Sequence, residues 1–223
     1  MTFFYYLICK FCMLRMEKLI PIFPLKLVVF PNSKYPLHIF EPRYKKMINH
    51  CLDNNTGFGI VAAFDKRISD VGVYVKVVSV LKKYENGEMD ILVKGFERFL
   101  INETKLHPDG YYISEVEEYS DTNARIDFQL VEELRDEFEN ILELAKYKLE
   151  ENFWKQYSES EFKSFKVAEK SGLDYTKQQE LLILRNENAR LNYLIQYFSS
   201  LKNRINSSEA LNKIVLNDGF INE

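Results

Sequence analysis

The chain has 223 residues, of which 46% are hydrophobic and 28% are charged, and its formal net charge is −3. This composition is typical of a folded protein with a sizeable core, in one large or two small domains. The balanced charge provides no overall cationic field for nucleic acid, and three cysteines are too few for a secreted disulfide framework.

The first 15 residues are apolar but are interrupted by Lys10 and Arg15. The run is shorter than the roughly 20 residues of a membrane span, and it lacks the basic start of a secretory signal. We therefore predict that residues 1–15 are a dispensable extension, that Met16 begins the functional chain and that the protein is cytoplasmic. A weak membrane anchor is the alternative.

Strand patterns dominate from about residue 19 to residue 118. Short β-rich runs lie at 19–23 and 26–30, and the apolar run 58–64 predicts a buried strand. A further strand at 71–84 is predicted to turn back through a two-residue hairpin loop at Asn86-Gly87, which requires positive φ angles. Several strands joined by tight turns predict a closed or strongly curled sheet.

Two glycine-containing positions add detail to this sheet. Gly95 lies inside the returning strand, which predicts a bulge or a close backbone approach. The segment His107–Gly110 predicts another turn before a last strand at 111–119.

The stretch 34–51 changes from strand to helix at Glu41-Pro42-Arg43. Tyr44, Met47, Ile48 and Cys51 form one apolar helical stripe, Pro42 suits a first helical turn, and Glu41 suits the cap. Local physics therefore favours a structural corner over a working site.

After a polar linker at 120–125 the apolar spacing becomes helical. A stripe from Leu130 to Leu149, a helix at 160–170 stopped by Ser171-Gly172, and a last helix at 191–201 are predicted. Thr176 with Gln179 predicts a capping box between them. About four helices result, followed by a loosely held tail.

The chain contains none of the phosphate-binding GxxxxGK[ST], nucleophile GxSxG or zinc HExxH patterns. Its three histidines are far apart, and Cys9 with Cys12 forms a lone CxxC without further ligands. We therefore predict no catalytic residue, no metal site and no cofactor. The basic-aromatic cluster Arg43–Lys46 leaves RNA binding as an alternative, although nucleic-acid binding usually needs a broader basic surface.

Several motifs together resemble the substrate-binding N-terminal domain of Lon proteases. They are Phe23-Pro24-Leu25, Val29-Phe30-Pro31, the segment Pro36–Tyr44 that contains Pro-Leu-His-Ile-Phe-Glu-Pro-Arg-Tyr, and Gly95 with Arg98 and Phe99. The match covers roughly residues 19–202 and is strongest in its first third. Asn32-Ser33-Lys34 stands where the family often has glycine and apolar residues, a departure that concerns the shape of this loop and not the fold.

The resemblance implies an α+β fold: a PUA-like curled β-sheet or barrel with one early helix, followed by a C-terminal helical bundle. It implies an N-terminal β domain at 16–120, a helical subdomain at 121–205 and a flexible tail at 206–223. It further implies a small stand-alone bacterial member without the ATPase and protease modules. Such a member would share a family name with a peptidase without having the peptidase's catalytic chemistry.

The expected function is non-catalytic binding of unfolded or extended polypeptides, with an adaptor role in proteolysis or protein quality control. An ATP-dependent protease is an expected partner, whereas nucleic acid and membranes are not. The peptide-binding residues predicted from the matched motifs are Phe40, Glu41, Arg43, Tyr44, Arg98 and Phe99. A PUA-like protein that binds RNA is the alternative.

Overall fold

The structure is a computed structural model that describes residues 19–65, 67–122 and 125–204. The predicted extension 1–15, Met16, the CxxC pair and the tail 206–223 lie outside these residues. The β part comprises β1 (Leu19–Leu25), β2 (Lys34–Ile39), α1 (Pro42–Asp53), β3 (Phe58–Phe64), β4 (Arg67–Lys83), β5 (Met89–Leu106) and β6 (Tyr112–Glu118). The helical part comprises α2 (Phe128–Leu144), α3 (Glu151–Glu159), α4 (Lys163–Ala168), α5 (Tyr175–Ile183) and α6 (Glu187–Arg204).

The six strands form one mixed, curled sheet in the order β2-β5-β4-β3-β1-β6, and β5 also pairs with β6. Five strands therefore close into a ring, while β2 lies outside it against the first half of β5. The β1–β3 pair is parallel and the other pairs are antiparallel. These findings confirm the predicted α+β class with a curled sheet, one early helix and a C-terminal set of helices.

The ring encloses a small apolar core of its own. Phe99 is fully buried there, and a side chain at Gly59 or Gly72 would place its Cβ atom 2.5 or 2.6 Å from the Phe99 ring. Both glycines are therefore needed to leave room for this ring. The buried members of this core are Ile20, Ile22, Val61, Tyr74, Phe99 and Val116.

The outer face of the sheet carries α1 and the larger core. The predicted stripe of α1 is confirmed, because its four apolar residues are the buried ones. Pro42 begins the helix and Glu41 occupies the N-cap position, as predicted. The Glu41 side chain makes no capping hydrogen bond, however, since its carboxylate accepts hydrogen bonds from Arg43 instead.

Two β predictions require correction. Residues 26–30 do not form a strand, although Val28, Val29 and Phe30 are buried. The hairpin between β4 and β5 has three loop residues, because Tyr84 N–H donates to the Glu88 carbonyl and only Gly87 in the loop has positive φ. This geometry is a type I turn with a glycine bulge, for which Asn86 needs no left-handed conformation.

The close approach predicted at Gly95 is confirmed. The Gly95 carbonyl accepts a hydrogen bond from Asn32 N–H, and Gly95 N–H donates to the Ser33 carbonyl. A Cβ atom at this position would lie 2.3 Å from the Phe30 carbonyl oxygen. The turn predicted at His107–Gly110 is also present, with Gly110 N–H donating to the His107 carbonyl.

The helical part contains five helices between residues 128 and 204, one more than predicted. The first stripe is interrupted after Leu144, where Lys146 adopts a positive φ angle of 51°. The capping box at Thr176 is wrong, because Asp174 is the N-cap and its carboxylate accepts from Lys177 N–H. Whether the β and helical parts fold as separate domains stays a prediction.

None of the helices within the described ranges is both long enough and apolar enough to cross a membrane.

Candidate functional site

The structure separates the six predicted site residues. Phe40, Glu41 and Arg43 surround the start of α1 at the surface. Tyr44 follows them but is buried in the larger core, where its ring lies 4.0 Å from that of Phe23. Arg98 and Phe99 are buried elsewhere. The six residues do not converge on one surface, and their role in peptide binding stays a prediction.

The surface corner at the start of α1 is well connected locally. Phe40 is 58% exposed and stacks on His38, whose Nδ1 atom lies 2.7 Å from Asp90. The Arg43 guanidinium lies over the Tyr44 ring at 4.6 Å and pairs with Glu41. Exposed pairs of this kind contribute little to stability, so this corner is chemically a surface feature with one exposed aromatic ring.

Arg98 connects the sheet to the helical part. Its guanidinium donates hydrogen bonds to the carbonyl oxygens of Leu182 and Leu184, at 2.6 and 2.8 Å, and forms an ion pair with Asp121. Because the side chain is buried and every contact is internal, Arg98 positions α5 against the sheet. Both terminal nitrogens of its guanidinium therefore already have internal partners.

Arg190 completes the same buried network from α6. Its guanidinium donates to Asp121 at 2.8 Å, to the Leu184 carbonyl at 2.7 Å and to Glu187 at 2.8 Å. Glu187 in turn accepts from the Ser164 backbone and hydroxyl at the start of α4. The network therefore ties the linker, α4 and α6 together, with each charge inside it compensated.

Asp121 is the acid shared by both arginines. Burial raises the pKa of Asp121, but the hydrogen bonds and charges of Arg190 and Arg98 outweigh burial and hold that pKa below its ordinary value. The carboxylate thus remains ionised at the junction throughout the neutral range.

Replacing Asp121 with asparagine is expected to lower the free energy of unfolding at pH 7 by about 1–3 kcal/mol, because charged hydrogen bonds are lost. The deficit should shrink as pH falls below about 4, since the unfolded wild-type chain then binds a proton that the folded chain resists. Urea titrations at pH 7 and pH 3 measure it. The exposed Asp136→Asn variant serves as control, and an equal deficit at both pH values would contradict the prediction.

Beside this network a cleft of about 580 Å³ separates the sheet from the helical part. It is lined by acidic and aromatic side chains as well as Arg98. Burial raises the pKa of Glu97 in this cleft, with the charge of Glu118 adding to the effect. These carboxylates disfavour a phosphate backbone at this place. The acidic and aromatic lining residues are Glu97, Glu118, Asp121, Glu161, Phe96, Tyr119, Phe162 and Phe165.

The second half of β4 offers a different kind of surface. β4 pairs with β3 only up to Val75, whereas its pairing with β5 continues to Lys83. Among the described residues, no other strand pairs with the segment Lys76–Lys83, which we call the β4 edge. About half of its backbone N–H and C=O groups point away from β5, over a length of roughly 26 Å.

The side chains of the β4 edge divide into two sets. Val77 and Val80 pack against the larger core and fix the segment in place. Val78 and Leu81 are 46% and 56% exposed, so they lie on the solvent side of an edge that already exposes backbone. The unpaired N–H and C=O groups of an edge strand are a template for an added strand, while lysines and bulges on the edge limit its pairing with a second edge of the same kind.

The outer edge of β2 makes a useful comparison. β2 also pairs on one side alone within the described ranges, but it carries Pro36 at the register position opposite Leu92. Proline has no backbone N–H to donate and is a common means of protecting an edge strand. The β4 edge contains no proline, so it is the better acceptor of an added strand.

Comparison with known proteins decides the family. The model of the ATP-dependent protease La (LON) substrate-binding domain matches residues 19–200, which is most of the chain. The chain belongs to the LON substrate-binding domain family. The resemblance drawn from the sequence motifs is thereby confirmed.

Two solved structures show that the LON substrate-binding fold extends over the described helices as well as the sheet. A Lon N-terminal domain protein from Xanthomonas campestris has a TM-score of 0.64 at 20% identity, covering 81% of this chain and 99% of that one. The N-terminal domain of the Mycobacterium avium complex Lon protease has a TM-score of 0.60 at 18% identity, covering 82% and 98%. At these identities the likeness concerns the fold alone.

The motifs that indicate the LON substrate-binding family are therefore not the residues of the exposed edge. Pro36–Tyr44 builds the β2–α1 corner, and Arg98 with Phe99 builds the interior. The sequence analysis did not identify the β4 edge as a candidate site, although one signal was available: the β-branched run extends well beyond the seven residues of β3. A longer strand beside a shorter one must leave part of its edge unpaired.

Proposed function

We propose that the protein binds extended polypeptides by strand addition at the β4 edge and presents them to a proteolytic partner as an adaptor. The observation that carries this proposal is the backbone of Lys76–Lys83, which no strand but β5 pairs within the described ranges and which the exposed side chains of Val78 and Leu81 border. Membership of a family described as substrate-binding domains of an ATP-dependent protease supports it.

Strand addition suits a binder of many different unfolded chains. The affinity arises from main-chain hydrogen bonds, and side-chain pockets add selectivity. Any polypeptide can supply these main-chain hydrogen bonds, because every residue except proline has a backbone N–H group to donate. Two register shifts between β4 and β5, at Val77/Ser79 and Val80/Lys82, increase the local twist of the edge. Bulges of this kind limit the growth of a flat sheet from the edge, so the proposed occupant is a single short strand.

Binding in this mode consumes no nucleotide and breaks no bond. The adaptor role requires only that the bound polypeptide remain extended. The parts of that polypeptide before and after the bound stretch must stay accessible to the protease. An ATP-dependent protease is the proposed recipient, because the family description names such an enzyme.

A backbone-methylated peptide pair tests the strand-addition mode. An added strand uses the N–H groups of alternate residues, so N-methylation at one set of alternate positions should weaken binding at least about tenfold. Methylation at the other set should have little effect, because those N–H groups point to solvent. Fluorescence anisotropy with labelled eight-residue peptides of valine and threonine measures both affinities.

Backbone amide shifts should locate the contact. In the wild-type protein, addition of the unmethylated peptide should perturb the amide resonances of Lys76–Lys83 and leave those of α6 unchanged. Equal loss of affinity with both methylated peptides, or perturbations confined to the cleft beside Arg98, would overturn the strand-addition mode.

A further inference from the structure

The β4 edge carries an uneven charge. Three lysines, Lys76, Lys82 and Lys83, lie within its eight residues, and the chain has no acidic residue between Val71 and Tyr84. Two of the lysines follow directly after the exposed Leu81, and the third precedes Val77. The edge is therefore an apolar centre with a cation at each end.

Neighbouring groups neutralise this charge only in part. Glu97 interacts electrostatically with Lys76, and Lys82 lies over the Tyr84 ring at 4.3 Å. Asp90, which is opposite Lys82 in the register, accepts hydrogen bonds from Tyr84 and pairs with His38. Lys83 extends into solvent at the end of the strand, so it is well placed to meet a charge on an added chain.

The charges also disfavour a second copy of this chain as the occupant. If two β4 edges paired antiparallel about their centres, Lys76 of each copy would lie opposite Lys83 of the other. Like charges directly opposite one another destabilise a strand pair, and lysine is a common device against self-pairing of edges. The same lysines attract a strand of opposite charge.

We propose that the preferred occupant of the β4 edge is an extended polypeptide segment with apolar residues at its centre and aspartate or glutamate at its ends. This inference rests on the proposed function and specifies its substrate class. The apolar centre would lie against Val78 and Leu81, while the acidic ends would meet Lys76 at one end and Lys82 with Lys83 at the other.

A polypeptide fits this surface better than single-stranded RNA does. Proteins that bind single strands combine a long positively charged groove with aromatic rings on which bases stack. The β4 edge has three lysines and exposes aliphatic side chains, and the ring of Tyr84, which follows it in the sequence, is covered by Lys82. RNA binding is therefore an outcome that the experiment must distinguish.

Two peptides with the same valine- and threonine-rich centre, one flanked by glutamates and one by lysines, test the inference. The acidic peptide should bind wild-type protein at least about fivefold more tightly, and the preference should decline as salt rises from 50 to 500 mM. In a Lys82→Glu/Lys83→Glu variant the preference should reverse. A Lys148→Glu/Lys155→Glu variant has the same net charge change away from the edge and should behave as wild type.

The outcomes separate the two proposals. If both peptides bind equally to wild type and to the Lys82/Lys83 variant, the acidic preference is wrong while strand addition stands. If neither peptide binds, the proposed function itself fails. If a single-stranded RNA oligonucleotide displaces the acidic peptide and binds more tightly, the edge serves nucleic acid and the inference is overturned.

Discussion

Replacement of Arg190 with methionine is expected to lower the free energy of unfolding by about 3–5 kcal/mol at neutral pH. The side chain is completely buried, and it supplies hydrogen bonds to Asp121, Glu187, Ser164 and the Leu184 carbonyl. Methionine fills similar space but leaves the Glu187 carboxylate buried without its cation. Guanidinium chloride titration followed by circular dichroism measures the loss.

The matched control is Arg135→Met on α2. Arg135 is exposed and forms a single ion pair with Glu139, so its replacement should cost no more than about 1 kcal/mol. Similar small losses for both variants would show that the buried network contributes nothing net. The whole account of how the linker, α4 and α6 are held together would then need revision.

Replacement of Phe99 with alanine is expected to lower the free energy of unfolding by about 3–5 kcal/mol as well, through a cavity inside the ring of strands. The Phe99 ring contacts the backbone side of Gly59 and Gly72, which offer no side chain to fill the space. Closed strands cannot move inward without breaking pairs, so little of the cavity should collapse. Thermal and chemical denaturation measure the change.

Phe40→Ala provides the comparison, because Phe40 is exposed and its removal should change stability by less than about 0.5 kcal/mol. The pair also tests the motif-based site prediction. Replacing a residue that contacts bound peptide should weaken peptide binding without lowering the stability of the protein. Replacing an interior residue should lower the stability first. Unchanged stability with lost peptide affinity in Phe99→Ala would contradict the interior role that we assign to this ring.

Much of the β part was predictable because its signals are local. The helical stripe of α1 follows from four apolar residues at 3.6 spacing, and Pro42 marks where the helix begins. Gly95 indicated a close approach because glycine weakens the interior of a strand and often marks a bulge or a close contact with another backbone segment. The partner in that approach, the loop at Phe30–Ser33, could not be identified, since nothing local connects two segments so far apart in sequence.

The closure of the ring was predicted only in outline. The parallel pairing of β1 with β3 and the pairing of β1 with β6 depend on long-range geometry that no periodicity records. The run 26–30 has strand composition but forms no strand, because its apolar residues are used to fill the larger core. Tertiary packing here overrides β propensity.

The candidate site shows the same limit. Motif matching selected Arg98 and Phe99, and the structure places both in the interior, so a matched motif does not by itself mark a surface. Arg98 meets Arg190 through Asp121, and that meeting depends on residues from β5, the linker and α6. The β4 edge is a candidate site because no other described strand pairs with it, and this becomes visible only when the lengths of neighbouring strands are compared in three dimensions.

The pairing of β1 with β6 has a consequence for biosynthesis. Leu19 aligns with Glu115, so β1, which leaves the ribosome before the other described strands, can complete its pairing on one side only after β6 has been made. Such distant closure is entropically costly and slow compared with helix formation. A nascent chain halted before β6 would present the bare flanks of β1 and β5 together. The emerging chain would then expose these strand edges, which other chains can pair with, until β6 has left the ribosome.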